Sequence, residues 1–332
     1  MKKGVVFSGM RPTGRLHIGH LSVLDNWVKL QEEFQCYFGI VDWHALTTDF
    51  ENTSEMQDNI RMMLLDWLSV GLDPLKSPIF VQSQVKEHSE LHLLFSMMLP
   101  VSWLERVPSY KDQILQLGLQ GKDIATYGFL GYPVLMSADI LIYRANVVPV
   151  GEDQLAHIEL SREIARRFNY LYKTDLFPEP QARLAKVALL PGVDGRKMSK
   201  SYNNDIPIAA TSKEISEKVQ MMVTDPARIK KTDPGNPEIC IVHTYQNIYN
   251  ASEVEEIRTN CKSGNIGCVA CKKRLATVLD EMLAPLRERR SYYEERPNLL
   301  HDIIETGAKE ARKEAGKTLE LVRTAMNVSL KI

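Results

Sequence analysis

The stretch Val5-Val6-Phe7-Ser8-Gly9-Met10-Arg11-Pro12-Thr13-Gly14, followed closely by His17-Ile18-Gly19-His20, decides how this chain is read. Val5, Val6 and Phe7 make a short buried-strand candidate. Ser8 to Gly14 is rich in turn formers and predicts a loop. A helical pattern starts near His17, because Leu21, Leu24, Trp27, Val28 and Leu30 fall on one helix face. A loop that feeds a helix N-terminus offers backbone donors and positive potential to phosphates. Gly19 lets a nucleotide approach the backbone closely. His17 and His20, three residues apart, can face one ligand and stabilise charge on a transferring group.

The same alternation continues outward. Cys36 to Val41 reads as a second buried strand, Asn59 to Val70 as a helix, and Ile79-Phe80-Val81 as a third strand. Val147-Val148-Pro149-Val150 is another short strand, with a helix expected from about Asp153 to Phe168. Strands alternating with helices predict an α/β fold, a Rossmann-like parallel sheet covered on both faces. After Ser201 no strand-like run of that quality occurs. A Pro/Asp/Gly-rich segment from Thr224 to Pro237 leads into helical stretches at 254–259 and 274–289, and a final helix is expected at 319–326. The expected division is a catalytic domain over 1–200, a smaller all-helical domain over 201–300, and a C-terminal helix over 301–332 that packs back on the catalytic domain.

The 332 residues suffice for such an arrangement. Hydrophobic residues make up 44% and charged residues 25%, ordinary for a globular protein. No apolar run approaches a membrane span, and Ser8, Gly9 and Arg11 interrupt the N-terminal run, so a cytoplasmic protein with no membrane partner is expected. Net charge is −1, so a nucleic-acid binder must concentrate its cations locally. Arg228-Ile229-Lys230-Lys231, Lys272-Lys273-Arg274 and Arg287-Glu288-Arg289-Arg290 do so in the last third. Each alone reads as a solvated helix face; their grouping favours an RNA-facing surface.

A second motif, Gly195-Arg196-Lys197-Met198-Ser199-Lys200-Ser201, places three cations and two hydroxyls in seven residues. That composition suits a loop closing on a polyphosphate. No G-x-x-x-x-G-K-[ST] loop and no G-x-G-x-x-G after a strand is present, so a nucleotide must be held another way. His17–His20 and Lys197–Ser201 together resemble the HIGH and KMSKS signatures of class I aminoacyl-tRNA synthetases. Phe7–Gly14, Tyr132–Asp139 and Val150–Gln154 resemble the bacterial tryptophanyl-tRNA synthetases in order and spacing.

The resemblance implies an aminoacyl-tRNA ligase that joins tryptophan to tRNA(Trp) using ATP and Mg2+, acting as a homodimer. It implies that His17, Gly19 and His20 contact the nucleotide, with Arg11, Pro12 and Thr13 near its phosphates. Gly151, Glu152 and Asp153 would meet the ribose and Val187 the adenine. Lys197, Ser199 and Lys200 would clamp the pyrophosphate, with Met198 and Ser201 also in the ATP site. Of these, His17, His20, Lys197, Ser199 and Lys200 are the catalytic candidates. For tryptophan, Asp139 would accept the indole N–H, Phe7, Met136 and Val148 would wall the ring, and Tyr132 and Gln154 would hold the amino and carboxylate groups. Physical chemistry supports the choice of Asp139. The Ile140-Leu141-Ile142 run after it implies burial, and a buried carboxylate requires a polar partner.

Cys240, Cys261, Cys268 and Cys271 form C-x20-C-x6-C-x2-C, whereas Cys36 sits in an apolar strand. A close pair with two neighbours is a metal-ligation cue in a chain without a secretory signal. Thiolates suit zinc and iron–sulfur clusters alike. The spacing is similar to that of the tryptophanyl-tRNA synthetases that carry a [4Fe–4S] cluster, and the cluster is preferred to Zn2+. Three rivals stay open at this point: a tyrosine–tRNA ligase, a non-catalytic RNA-binding paralogue, and an iron or redox sensor.

Overall fold

The computed structural model describes residues 2–107, 110, 114–115, 118, 124–184 and 190–329. Strands β1 (Val5–Met10), β2 (Gln35–Ile40), β3 (Ile79–Val81), β4 (Val147–Val150) and β5 (Gln181–Leu184) form one sheet in the order β3-β2-β1-β4-β5. Every pairing in it is parallel. Alternate residues feed two separate cores. Val6, Cys36, Phe38 and Ile40 enter one, Phe7 and Tyr37 the other. That two-residue period on a sheet buried on both faces is why the strands read as unbroken apolar runs.

Helices α1 (Leu21–Glu33), α2 (Asp42–Asp49), α3 (Met56–Val70), α4 (Glu87–Ser96), α5 (Val101–Leu104), α6 (Tyr127–Leu141) and α7 (Leu155–Tyr172) accompany the strands. After β5 follow α8 (Ser212–Met221), α9 (Ile241–Tyr249), α10 (Val254–Lys262), α11 (Cys268–Glu294) and α12 (Pro297–Ala325). No helix among the described residues is long and apolar enough to cross a membrane.

Three elements differ from expectation. β1 does not stop at Phe7 but runs on through Ser8 and Gly9 to Met10, paired with Phe38, Gly39 and Ile40. The ladder with β2 overrides the weak strand preference of Ser-Gly. β5 has no apolar run to announce it, since Gln181, Arg183 and Leu184 are exposed; its ladder with β4 holds it at the sheet edge. α12 begins at Pro297, four residues before the C-terminal helix expected over 301–332 and 22 before its apolar Leu319–Met326 pattern. Its buried face continues through Gly307, Ala308, Ala311 and Ala315, small residues that carry little hydrophobic signal.

The core does not stop at residue 200. Ile206, Ile215, Tyr245, Leu275, Leu279 and Leu283 pack into the same cluster as Leu24, Trp27, Met63 and Leu64. α12 lies along β3, and its Ala308, Ala311, Ala315, Leu319 and Val322 join the core on the sheet's other face. Arg290 corrects the reading of its basic cluster. It is buried and ion-paired to buried Asp66 of α3, while Arg289 donates to the Ser69 carbonyl and Arg287 to Asp280. Their guanidiniums bind protein acceptors rather than facing outward together.

Candidate active site

β1 and β4 share only the register pair Val6–Val147, so their C-terminal ends part. This is where the strand order reverses, the place where open α/β sheets form a ligand crevice. A cavity of about 550 Å³ opens there. Phe7 to Arg11 of β1 and its loop form one wall, and Val148 to Gly151 another. His44 of α2 and Phe129, Tyr132, Met136 and Asp139 of α6 line the base, and Gln154 and His157 complete it. The cavity thus collects all six expected tryptophan residues together with Arg11, Thr13 and Gly151.

Asp139 has only 1% of its surface exposed, and its carboxylate is held by three side chains. Gln82 Nε2 lies 2.8 Å from Oδ1 and 2.9 Å from Oδ2. His44 Nε2 donates to Oδ2 at 2.9 Å and His88 Nδ1 to Oδ1 at 2.6 Å. Burial alone would push its pKa up, but the hydrogen bonds from His44 and His88 hold it down at about 2. Asp139 is therefore an ionised acceptor inside an apolar pocket. A second chain runs beside it: Tyr132 OH meets His157 Nε2 at 2.8 Å, and His157 Nδ1 meets Gln154 Oε1 at 3.0 Å. Burial lowers His157 to about 4, so the ring is neutral. Its Nδ1–H donates to the Gln154 carbonyl, and its Nε2 accepts from Tyr132.

The two signature stretches meet beside Thr13, which lines this cavity, although His17–His20 and Lys197–Ser201 are not themselves among its lining residues. Ile18 N donates to Ile206 O at 2.9 Å and Ile208 N to Leu16 O at 3.0 Å, so the chain after the second motif is stitched to the first. Lys200 Nζ donates to the Thr13 carbonyl at 3.0 Å. Gly14, at φ +101°, has the left-handed backbone that frees this turn, and a Cβ there would come within 3.3 Å of Lys200 Nζ. The rings of His17 and His20 stand 3.9 Å apart. Burial and nearby positive charge, His20 and Lys200 for the first ring, lower His17 to about 3 and His20 to about 4. Both are neutral donors at physiological pH. His17 Nδ1 and Arg11 Nε are buried without a hydrogen-bond partner among the described residues. Met198 is buried while Lys197 is exposed, and Ser199 N donates to Asn204 Oδ1 at 2.8 Å. Glu152 and Asp153 are exposed in a 3₁₀ turn after β4. Pro12 is buried in the loop after β1. Val187 lies outside the described residues.

Comparison with known proteins agrees with this geometry. A family described as "tRNA synthetases class I (W and Y)" matches residues 2–284. A tryptophan–tRNA ligase of Thermotoga maritima is 53% identical, covering 97% of this chain and 99% of its own. That of Aquifex aeolicus is 45% identical over 97% and 99%. A tryptophanyl-tRNA synthetase of Campylobacter jejuni, solved in complex with ADP and tryptophan, superposes with a TM-score of 0.88 at 33% identity, covering 97% of this chain and 99% of its own. The chain belongs to the bacterial tryptophanyl-tRNA synthetases of class I.

Sequence reading of this synthetase chain missed His44, Gln82, His88, Tyr143 and His157. Two of these carried a signal. Asp42-Trp43-His44 and Gln82 directly follow β2 and β3, and in such sheets functional groups cluster just past the strands' carboxyl ends. His88 and His157 sit inside helices and Tyr143 in the turn just after α6, all three at core positions, and nothing in their local sequence distinguishes them.

The four late cysteines lie near one another. Arg228 Nη1 is 3.8 Å from Cys261 Sγ and 3.9 Å from Cys268 Sγ. Gln246 Nε2 is 3.9 Å from Cys271 Sγ, and Cys240 acts electrostatically on both Cys261 and Cys271. Burial raises the thiols of Cys240, Cys261 and Cys271, the last to about 11. Among the described residues no three or more His, Cys, Asp or Glu side chains are already arranged around a metal position. Of the neighbouring cations, Lys272 donates to Gln220 O at 2.6 Å, and Arg274 pairs with Glu256 at 3.3 Å.

Proposed function

We propose that the chain activates L-tryptophan with MgATP and transfers it to the 3′ end of tRNA(Trp), with Asp139 as the residue that selects tryptophan. The observation that carries this is an ionised carboxylate, 1% exposed, that is one of the few charged groups lining a largely apolar cavity. Indole presents one ring N–H. An analogue without that donor leaves the acceptor short of a partner, a loss that can reach about 10⁴-fold in such sites. The indole ring stacks among Phe7, Met136 and Val148. Tyr132 and Gln154, oriented by His157 between them, hold the α-amino and carboxylate groups.

The substrate carboxylate attacks the α-phosphorus, a tryptophanyl-adenylate forms and pyrophosphate leaves. No protein nucleophile is needed, so catalysis is positioning and charge stabilisation. Arg11, Pro12, Thr13, Gly19 and His20 line the nucleotide's path, with neutral His17 and His20 donating N–H to phosphate oxygens. Gly151, Glu152 and Asp153 address the ribose and Val187 the base. Lys197, Met198, Ser199, Lys200 and Ser201 close on the leaving pyrophosphate, whose Mg2+ arrives with ATP. A hydroxyl of the terminal tRNA ribose then attacks the adenylate.

Residues 1–200 serve as the catalytic part, 201–300 as the anticodon-facing helical part, and 301–332 as the helix that braces the sheet. The protein acts in the cytoplasm as a homodimer. Cys240, Cys261, Cys268 and Cys271 suit a soft-metal site, because thiolates are soft ligands and the Arg228 guanidinium, within 3.9 Å of Cys261 and Cys268, favours the charged form of Cys261. They would hold a [4Fe–4S] cluster, which would fix the 228–231 and 261–271 segments against each other. Anaerobically purified protein should be brown, with about four irons per chain. Colourless protein holding one zinc would replace the cluster with the zinc reading. For the central activity, exchange of labelled pyrophosphate into ATP should be driven by tryptophan and not by tyrosine; the reverse would overturn the assignment.

A further inference from the structure

Asp139 is not held by arbitrary donors. His88 is 0% exposed, and its two ring nitrogens have different partners: Nδ1 meets Asp139 Oδ1 at 2.6 Å and Nε2 meets Tyr143 OH at 2.7 Å. Tyr143 sits one helical turn beyond Asp139, just past the end of α6, and is 1% exposed. Its ring is packed against Tyr37 at 4.3 Å, Phe7 at 5.7 Å and Phe80 at 5.9 Å. A carboxylate only accepts, so His88 Nδ1 must carry a proton. In a neutral His88 ring Nε2 is then the lone-pair nitrogen, and the Tyr143 hydroxyl, which burial keeps protonated, donates to it. The line Tyr143 O–H to His88 Nε2, then Nδ1–H to Asp139, runs one way. In the opposite tautomer a lone pair of Nδ1 would face the carboxylate at 2.6 Å.

We propose that Tyr143 and His88 are positioning residues for amino-acid selection: Tyr143 locks the His88 tautomer, and His88 fixes the orientation of the Asp139 carboxylate in the cavity wall, where the substrate ring N–H meets it. This rests on the reading of Asp139 as the indole acceptor. His88 and Tyr143 are both absent from the residues that line the cavity, so they act only through Asp139 and the packing around it. The His157 line from Tyr132 to Gln154 has the same construction, so a tautomer-locked histidine supports each half of the amino-acid subsite.

The test uses the intact protein in ATP–pyrophosphate exchange, with L-tryptophan and with its benzothiophene analogue, in which sulfur replaces the ring N–H. The readout is the ratio of kcat/KM for the two substrates. A loss of folding or general pocket shape lowers both terms and leaves the ratio alone. Tyr143→Phe should shrink the ratio by about tenfold, with the analogue's own kcat/KM moving less than about threefold. His88→Ala should shrink it at least as much. His88→Asn should hold it near the wild-type value, because an amide N–H replaces Nδ1–H without a tautomer to lock. An unchanged ratio in Tyr143→Phe, or equal losses for both substrates, overturns the proposal. Should Tyr143→Phe not fold, equal ratios in His88→Ala and His88→Asn overturn it instead. A wild-type enzyme that does not distinguish the two substrates would instead overturn the Asp139 reading itself.

Discussion

Lys200 shows how one side chain ties two distant motifs together. Its ammonium reaches the Thr13 carbonyl, and burial lowers its pKa while Asp66 and Asp205 offset part of that effect. In the proposed reaction it meets charge that develops on the departing phosphates, so its contribution belongs to the transition state. Lys200→Ala should lower kcat for activation by about 10²-fold or more while tryptophan binding changes little, as measured by exchange kinetics beside equilibrium titration. Equal losses in both would assign Lys200 to ground-state binding. The histidines carry a second prediction. His17 and His20 have folded pKa values of about 3 and 4 against an ordinary 6.5, so between those values the unfolded chain binds more protons. Stability present above pH 6.5 is therefore lost as pH falls toward 4. Tm should drop through that window, and His20→Asn should flatten the drop. The Asp139 contribution disappears in a separate window, below its ordinary 3.8.

At the scale of elements, legibility followed side-chain size. β2, β3 and β4 stood out because Val, Ile, Phe and Tyr crowd them, and α1 because Leu21, Leu24, Trp27 and Leu30 repeat at helical spacing. Asp139 and the cavity residues of α6 were named through resemblance, and the apolar run after Asp139 pointed to burial beside polar partners, which His44, Gln82 and His88 supply. His44, Gln82 and His88 could not be paired with Asp139 from sequence, since they lie 95, 57 and 51 positions away and meet only through the sheet. α12 was expected over 301–332, but its apolar pattern was legible only at the Leu319–Val322 end. Its middle is written in Ala and Gly because the helix presses directly on β3. A Cβ on Gly307 would stand 2.0 Å from the Ile79 carbonyl oxygen, so only glycine fits. Gly307→Ala should cost about 1–3 kcal/mol through displaced backbone, seen as a lower urea midpoint. Gly316, with nothing within 4 Å of its added Cβ, is the control: Gly316→Ala should stabilise by a few tenths of a kcal/mol to about 1. Equal effects at both positions would refute this account of why α12 needs glycine where it meets the sheet.

Across the whole molecule, the helical C-terminal part is tied to the reaction loop through one buried carboxylate. Asp66 Oδ1 pairs with Arg290 of α11, and its Oδ2 accepts from Leu16 N at 2.8 Å. Leu16 directly precedes His17. Burial raises Asp66, and the Arg290 guanidinium is the largest influence opposing that rise. Removing one partner of a buried pair strands the other, at a cost of about 3–5 kcal/mol, whereas neutralising both costs far less. Arg290→Leu should therefore destabilise strongly, and Asp66→Asn combined with Arg290→Leu should recover much of the loss in urea unfolding. The two readouts should then separate. The double variant regains stability, but its amide holds Leu16 less firmly than a carboxylate does, so kcat for activation stays depressed while KM for tryptophan is near wild type. If kcat recovers in step with stability, Asp66 and Arg290 brace the fold without setting the position of the loop that carries His17 and His20.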